Sequence, residues 1–235
     1  MIRLVAMDLD GTLTQHKSRP YAECLKVLDE LAQNYRLVIV GAGGCERIFK
    51  QLGGFSHEII GFYGMQNATS DGKNLAVTQR SSVEVDNSSV TKRVEQLREE
   101  LGYTDFLGET VEFHDSGLIT FPLLGTAAHL GDKLAFDPDR TRRRAVYGRV
   151  KEVFNEFTVF IGGSSSFDIV PKPYCKSFAL RGYIEKHGIS REEVIYFGDD
   201  YGMGGNDEDI YKSDTQFVCI DDYREFPKIA RRVLL

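Results

Sequence analysis

Asp8-Leu9-Asp10-Gly11-Thr12-Leu13-Thr14 follows directly on an apolar run, residues 2–7. The run reads as a buried strand. Two carboxylates, two residues apart, therefore stand where that strand ends and the backbone turns. A strand presents alternate side chains to one side, so Asp8 and Asp10 can address the same substrate. Gly11 permits the tight turn beyond them. This arrangement suits a Mg²⁺-dependent phosphoryl transfer in which one aspartate attacks phosphorus.

Outward from this strand the pattern alternates. Residues 21–34 have helical periodicity, with Leu25, Leu28, Leu31 and Ala32 on one face. A second strand, 36–40, ends in Gly41-Ala42-Gly43-Gly44, and a short helix, 46–52, is closed by Gly53-Gly54. Residues 59–63 read as a third strand. Alternation of this kind implies a parallel sheet with right-handed crossovers. The middle of the chain differs. It reads as a strand at 81–85, a helix at 88–101, and a hairpin of 110–114 with 118–123 around Asp115-Ser116-Gly117. A long helix follows from Asp137-Pro138 to about residue 157, with aspartate as cap and proline in the first turn. A second hairpin joins 158–162 to 167–170. The first pattern then resumes, with a helix at 177–187, strands at 194–197 and 217–220, and a last helix at 226–233. The expected fold is α/β. A Rossmann-like core with a parallel sheet comprises residues 1–77 and 173–235, and an α+β domain, 78–172, is inserted into it.

The bulk composition narrows the function. The chain is 42% hydrophobic and 27% charged, ordinary values for a globular protein. A formal charge of −6 argues against a nucleic-acid binder, which needs a basic surface. No apolar stretch approaches the ~20 residues of a membrane span, and the opening run is too short for a signal peptide. Cys24, Cys45, Cys175 and Cys219 are scattered without a C-x-x-C pair, which speaks for reduced thiols and a cytoplasmic location. A homodimer is compatible with this reading.

Ligands of open parallel α/β sheets bind at the carboxyl ends of strands. Asp8, Asp10, Gly41 to Gly44 and Asp199 all follow strands at that edge. Mg²⁺ takes hard oxygen ligands, and the Asp8 and Asp199 carboxylates with the Asp10 carbonyl would supply them. Asp8 is the candidate nucleophile, Asp10 the general acid and base, and Lys176 the neutraliser of charge on the transferring group. Asp207 is expected to hold a metal-bound water or Lys176. Backbone amides of Gly41 and Gly43 are candidates for the phosphoryl oxygens. Arg140, Arg142, Arg143 and Arg144 form a basic run, and Arg140, Arg143 and Arg144 share a face of the expected helix. That run reads either as a solvated face or as a phosphate clamp.

Asp8-Leu9-Asp10-Gly11-Thr12, Lys176 and Gly198-Asp199 resemble the first, third and fourth motifs of the haloacid dehalogenase superfamily, and the insert resembles its type IIB cap. Within it the chain is similar to the eukaryotic-type phosphomannomutase family. Val40-Gly41 with Ile48 and Gln51-Leu52-Gly53, Ser166-Phe167-Asp168, and Phe197-Gly198-Asp199 through Gly204-Gly205-Asn206-Asp207-Glu208-Asp209-Ile210 carry the likeness. The resemblance implies Mg²⁺, an aspartyl-phosphate, and a sugar phosphate enclosed between core and cap. It implies substrate contacts from Ser166 and Asp168, and Asn206 joins the substrate-binding candidates. It also implies arginines for a distal phosphate. Here Thr126 follows Pro122-Leu123-Leu124-Gly125 where the family has one, Lys17 falls at another, and Arg143 matches a third. Gly43 stands where the mutases carry serine. Hydrolysis of a small phosphorylated metabolite, a hexose phosphate, is therefore expected to dominate, with phosphomannomutase activity as the alternative. A non-catalytic sugar-phosphate sensor is the reading from another class; the intact Asp8, Asp10, Lys176 and Asp199 argue against it.

Overall fold

The computed structural model describes residues 1–54 and 56–235. In chain order the elements are β1 (Leu4–Met7), α1 (Ala22–Ala32), β2 (Arg36–Val40), α2 (Cys45–Leu52), β3 (Glu58–Gly61), β4 (Gln66–Ser70) and β5 (Leu75–Arg80). Next come α3 (Asn87–Leu101), β6 (Glu112–Phe113), β7 (Ile119–Pro122), α4 (Leu130–Phe136), α5 (Thr141–Val153), β8 (Phe157–Gly162) and β9 (Ser166–Pro171). The chain ends with α6 (Lys176–His187), β10 (Val194–Gly198), α7 (Glu208–Tyr211), β11 (Gln216–Cys219) and α8 (Phe226–Leu234).

Two compact units result. The first holds Met1–Arg80, Cys175–Gly202 and Asp207–Leu235; the second holds Ser81–Tyr174 and Met203–Asn206. The chain thus leaves the first unit at 80/81 and re-enters at 174/175, a few residues beyond the positions expected from the sequence. Residues Met203–Asn206 join the second unit because the Gly204 carbonyl accepts the Ile161 amide at 2.8 Å and Gly204 lies against the Tyr147 ring.

The first unit is a seven-stranded sheet in the order β11-β10-β1-β2-β3-β4-β5. Strands β11 to β3 run parallel, and β4 and β5 add antiparallel. All of β1 is buried, and that requires apolar residues on both faces. Val5 and Met7 pack with Leu28, Ile39, Phe197 and Phe226, while Leu4 and Ala6 pack with Val38, Leu180 and Tyr196. Being enclosed by parallel neighbours, β1 delivers Asp8 to the carboxyl edge with little freedom.

The second unit is an antiparallel sheet, β6-β7-β9-β8, backed by helices. Ile119, Phe121, Phe167 and Ile169 from the sheet pack with Val90, Val94, Leu97 and Phe154.

The structure corrects three local expectations. Residues 81–85 are not a strand: among the described residues, Val83 alone of these donates to a backbone acceptor, Ser116. A sheet hairpin, β4–β5, precedes them instead. Helix α5 starts at Thr141 rather than at Asp137-Pro138, since Arg140 takes a left-handed φ of 62°. Asp137 still caps it from outside, accepting the amides of Arg142 and Arg143 at 2.9 and 3.1 Å. Arg140 therefore shares no helix face with Arg143 and Arg144.

Candidate active site

Asp8 leaves β1 with its amide donating to the Phe197 carbonyl of β10, at 2.9 Å. Its Oδ1 lies 2.9 Å from Lys176 Nζ, and the same ammonium lies 2.9 Å from Asp207 Oδ1. Lys176 is wholly buried at the start of α6. Asp207 is equally buried; Tyr196 Oη donates to its Oδ1 at 2.7 Å and the Asp200 amide to its Oδ2 at 3.2 Å. Asp199 is approached by Thr12 Oγ1, 3.1 Å from its Oδ1. Two glycines clear the space these carboxylates occupy. A Cβ on Gly11, whose φ is +99°, would stand 2.4 Å from Asp199 Oδ2, and one on Gly198 would stand 2.6 Å from Asp207 Oδ2.

Carboxylate oxygens of Asp8, Asp199 and Asp207 lie within 4.8 Å of one another. Burial first, then the Asp207 and Asp199 charges, push the Asp8 carboxyl well above the usual carboxylate range against the pull of Lys176. The Lys176 ammonium is held charged, as the Asp207 and Asp8 carboxylates outweigh the cost of its burial. Three acids around one ammonium leave an excess of negative charge in a nearly dry place. Their hard oxygen donors fit a divalent cation.

Asp10 stands apart from this cluster. Its Oδ1 accepts from Gln51 Nε2 at 2.7 Å and from the Lys17 amide at 2.8 Å; its Oδ2 accepts from Arg47 Nη1 at 3.0 Å. Burial pushes its carboxyl up, but Arg47, His16, Gln51 and the Lys17 amide together hold it below the usual range. Arg47, Gln51, Thr12 and Tyr196 are site-forming residues that the sequence reading missed. Arg47 and Gln51 fall at i and i+4 on α2, a pairing that spacing alone could have raised.

A model of the eukaryotic phosphomannomutase family matches residues 24–224. The chain belongs to that family. The match starts beyond Asp8 and Asp10 and takes in Lys176, Asp199 and Asp207. The chain is 28% identical to the phosphomannomutase of Solanum lycopersicum over 90% of its length and 86% of that protein's. It is 25% identical to that of Encephalitozoon cuniculi over 96% and 93%. Among solved structures, an IMP-bound IMP-nucleotidase of Plasmodium falciparum superposes with a TM-score of 0.71 at 13% identity, covering 100% of this chain and 69% of the other. A haloacid dehalogenase-like hydrolase of Bacillus subtilis, 14% identical, gives 0.62 over 99% and 100%. These likenesses show the haloacid dehalogenase fold.

Several expected phosphomannomutase-family contacts take other forms. The Gly41 amide donates to the Ile60 carbonyl at 2.8 Å, so it pairs β2 with β3 and is not a phosphate donor. Lys17 touches the site through its amide, which donates to Asp10, while the residue is exposed and takes a left-handed φ of 56°. Arg143 is 1% exposed. Its Nε donates to Asp137 Oδ2 at 2.8 Å, its Nη1 to the carbonyls of Gly162 and Gly163 at 2.8 and 3.0 Å, and its Nη2 to the Asp137 carbonyl at 3.2 Å. The expected phosphate ligand is thus a structural cation, because its donors are already spent inside the second unit. Ser166 and Asp168 lie two apart on β9. Ser166 Oγ donates to the Gly162 carbonyl at 2.9 Å, and the Asp168 carboxylate fills the space a Cβ of Gly162 would need. Asn206 belongs to the short segment carried by the second unit. Among the described residues no helix is long and apolar enough to cross a membrane.

Proposed function

We propose that this chain is a Mg²⁺-dependent phosphotransferase acting on a hexose phosphate through an aspartyl-phosphate on Asp8. The observation that carries the reading is Lys176, fully buried between Asp8 and Asp207 within a cluster of three carboxylates. Asp8, Asp199 and Asp207 would hold the cation, with the Asp10 carbonyl as a further donor. When bound, Mg²⁺ screens the repulsion between a phosphate dianion and the carboxylates and orients both. Asp8 attacks phosphorus, and Lys176 orients its carboxylate and offsets charge on the transferring group. Against the effect of burial, Arg47, His16, Gln51 and the Lys17 amide hold the Asp10 carboxyl below the usual range, so Asp10 first takes up a proton as the charge of an arriving phosphate dianion favours its neutral form. It then gives that proton to the departing ester oxygen and later takes one from the group that attacks the intermediate. Ser166, Asp168 and Asn206 are proposed to contribute to sugar recognition, Gly43 to phosphoryl binding through its amide, and a cytoplasmic site of action goes with four free cysteines.

Family membership supports transfer between sugar hydroxyls, the mutase reaction, over the hydrolysis that the sequence places first. Hydrolysis stays as the second reading on two observations. Arg143 is consumed internally, and Thr126 is part of a loop, its Oγ1 accepting the Glu109 amide at 2.9 Å. An assay with mannose 1-phosphate or glucose 1-phosphate, Mg²⁺ and a hexose bisphosphate activator distinguishes the two. Formation of the 6-phosphate isomer supports the mutase; release of phosphate without isomer supports the hydrolase. Turnover retained by Asp8→Asn would sink both.

A further inference from the structure

We propose that Arg47 is the positioning residue of the second chemical step, holding Asp10 in line with the attacking hydroxyl, and that Gly43 is bare in order to admit its guanidinium. The inference rests on the aspartyl-phosphate reading.

Three donors from two segments converge on the Asp10 carboxylate. Lys17 donates its amide from the turn after β1, and Gln51 and Arg47 donate side-chain hydrogens from one face of α2. The two α2 residues are also tied to each other, Arg47 Nη1 donating to Gln51 Oε1 at 2.8 Å. Gln51 is anchored in turn through Nε2 to Thr14 Oγ1 at 3.0 Å, back in the loop that carries Asp10. The closed ring Asp10–Arg47–Gln51 fixes the plane of the carboxylate, and a lone pair used as a base must be aimed. Both bonds leave the one Nη1, whose two hydrogens lie in the fixed plane of the guanidinium; an ammonium turning on a flexible stem is not aimed in this way.

Gly43 belongs to the same device. A Cβ placed there would stand 2.2 Å from both Nε and Nη2 of Arg47 and 2.5 Å from its Cζ. The guanidinium lies where a side chain at position 43 would begin. The clash falls on the end of a flexible side chain rather than on backbone, so Gly43→Ala spares the fold and displaces Arg47.

In the first step a bond forms between an Asp8 carboxylate oxygen and phosphorus, and the ester P–O bond breaks, its oxygen taking the proton of Asp10. In the second step the attacking oxygen bonds to phosphorus and passes its proton to the Asp10 carboxylate, and the bond to Asp8 breaks. An aryl phosphate separates these demands, because a nitrophenolate leaves without a proton. Only the second step then calls on Asp10.

Single turnovers of p-nitrophenyl phosphate with Mg²⁺ therefore test the assignment, nitrophenolate reporting the first step and free phosphate the second. In Arg47→Ala, nitrophenolate release stays within about threefold of the unmodified enzyme while phosphate release slows roughly ten- to a hundredfold. Arg47→Lys recovers only part of the loss. Gly43→Ala, at a position whose amide is also proposed to face the phosphoryl group, is read on phosphate release alone: it slows as in Arg47→Ala, and Gly43→Ala combined with Arg47→Ala is no slower than Arg47→Ala alone. Equal slowing of both signals, no slowing of either, or losses that multiply in the double variant would overturn the assignment. An unmodified enzyme whose nitrophenolate release needs neither Mg²⁺ nor Asp8 overturns the aspartyl-phosphate reading itself.

Discussion

Lys176 in the first unit and Arg143 in the second are both buried cations, 0% and 1% exposed, and each pairs with a buried carboxylate. They differ in what their partners have left to give. Arg143 spends its donors on Asp137 and backbone carbonyls of its own unit, and Asp137 spends its acceptors on Arg143 and the amides at the head of α5. The knot is closed. Lys176 bridges two of three clustered carboxylates and leaves an excess of negative charge at a strand edge. Burial of a charge is thus no sign of function; unspent capacity among its neighbours is.

Substitution of each cation separates the cases. Replacing Asp8 by Asn removes the proposed nucleophile, and phosphate release should fall on the order of a thousandfold or more with the circular dichroism spectrum unchanged. Lys176→Met should lower kcat at least about a hundredfold. Its melting temperature, low in chelator, should recover on adding Mg²⁺, because a bound cation stabilises the folded state by mass action. Arg143→Met should do the reverse. Removing one partner of a buried pair costs about 3–5 kcal/mol, which urea unfolding would read, while aryl-phosphate turnover by the folded fraction stays at the unmodified value. A large activity loss in folded Arg143→Met would break the comparison.

Smaller effects sharpen it. Gly11→Ala combines a φ of +99° with a Cβ 2.4 Å from Asp199. It should raise the Mg²⁺ concentration for half-maximal activity roughly tenfold, the loss of about one charge-assisted contact. The two units should also soften at different acidities. Burial drops His57, in the first unit, to about 3. Its folded value lies below the unfolded one, so its neutral form favours folding above about pH 6.5. Stability falls by up to about 1.4 kcal/mol per pH unit as the unfolded chain alone takes the proton. Burial pushes Asp137 up, but Arg143 and the two amides hold it below the usual range. Its contribution is present above about pH 4 and is lost as the pH falls through its lowered folded value. Hydrogen exchange resolved by segment, from pH 7 to pH 3, should show the first unit loosening before the second. His57→Gln should remove that difference.

Much of this was legible in the chain. Strands β1, β2 and β10 announce themselves as apolar runs ending in Gly or Asp, because parallel strands covered on both faces admit little else. Asp8, Asp199 and Asp207 were readable for the same reason, as acids placed just past such runs or in the loop beyond. Strand β5 was not, since its residues 76 and 78–80 are exposed and polar or small. Helix α4 is a single short stretch with Gly131 inside it and no buried residue. The roles of Arg143 and Arg47 depended on partners distant in sequence. An arginine near a helix start looks the same whether it faces a phosphate or two carbonyls from Gly162-Gly163. Arg47 gains its meaning only from the bare Cα of Gly43 and from Asp10, 37 residues upstream.

The segment Met203–Asn206 has a consequence for anyone wishing to trim this enzyme. A deletion that splices Arg80 to Cys175 looks like a clean excision of the insert, yet it would orphan these four residues. Gly204 would lose the Ile161 amide and the Tyr147 ring that hold it. The loose end would sit between Asp200 and Asp207, in the stretch that carries the acidic cluster. A minimal catalytic core therefore requires a redesigned connection there as well, two edits rather than one.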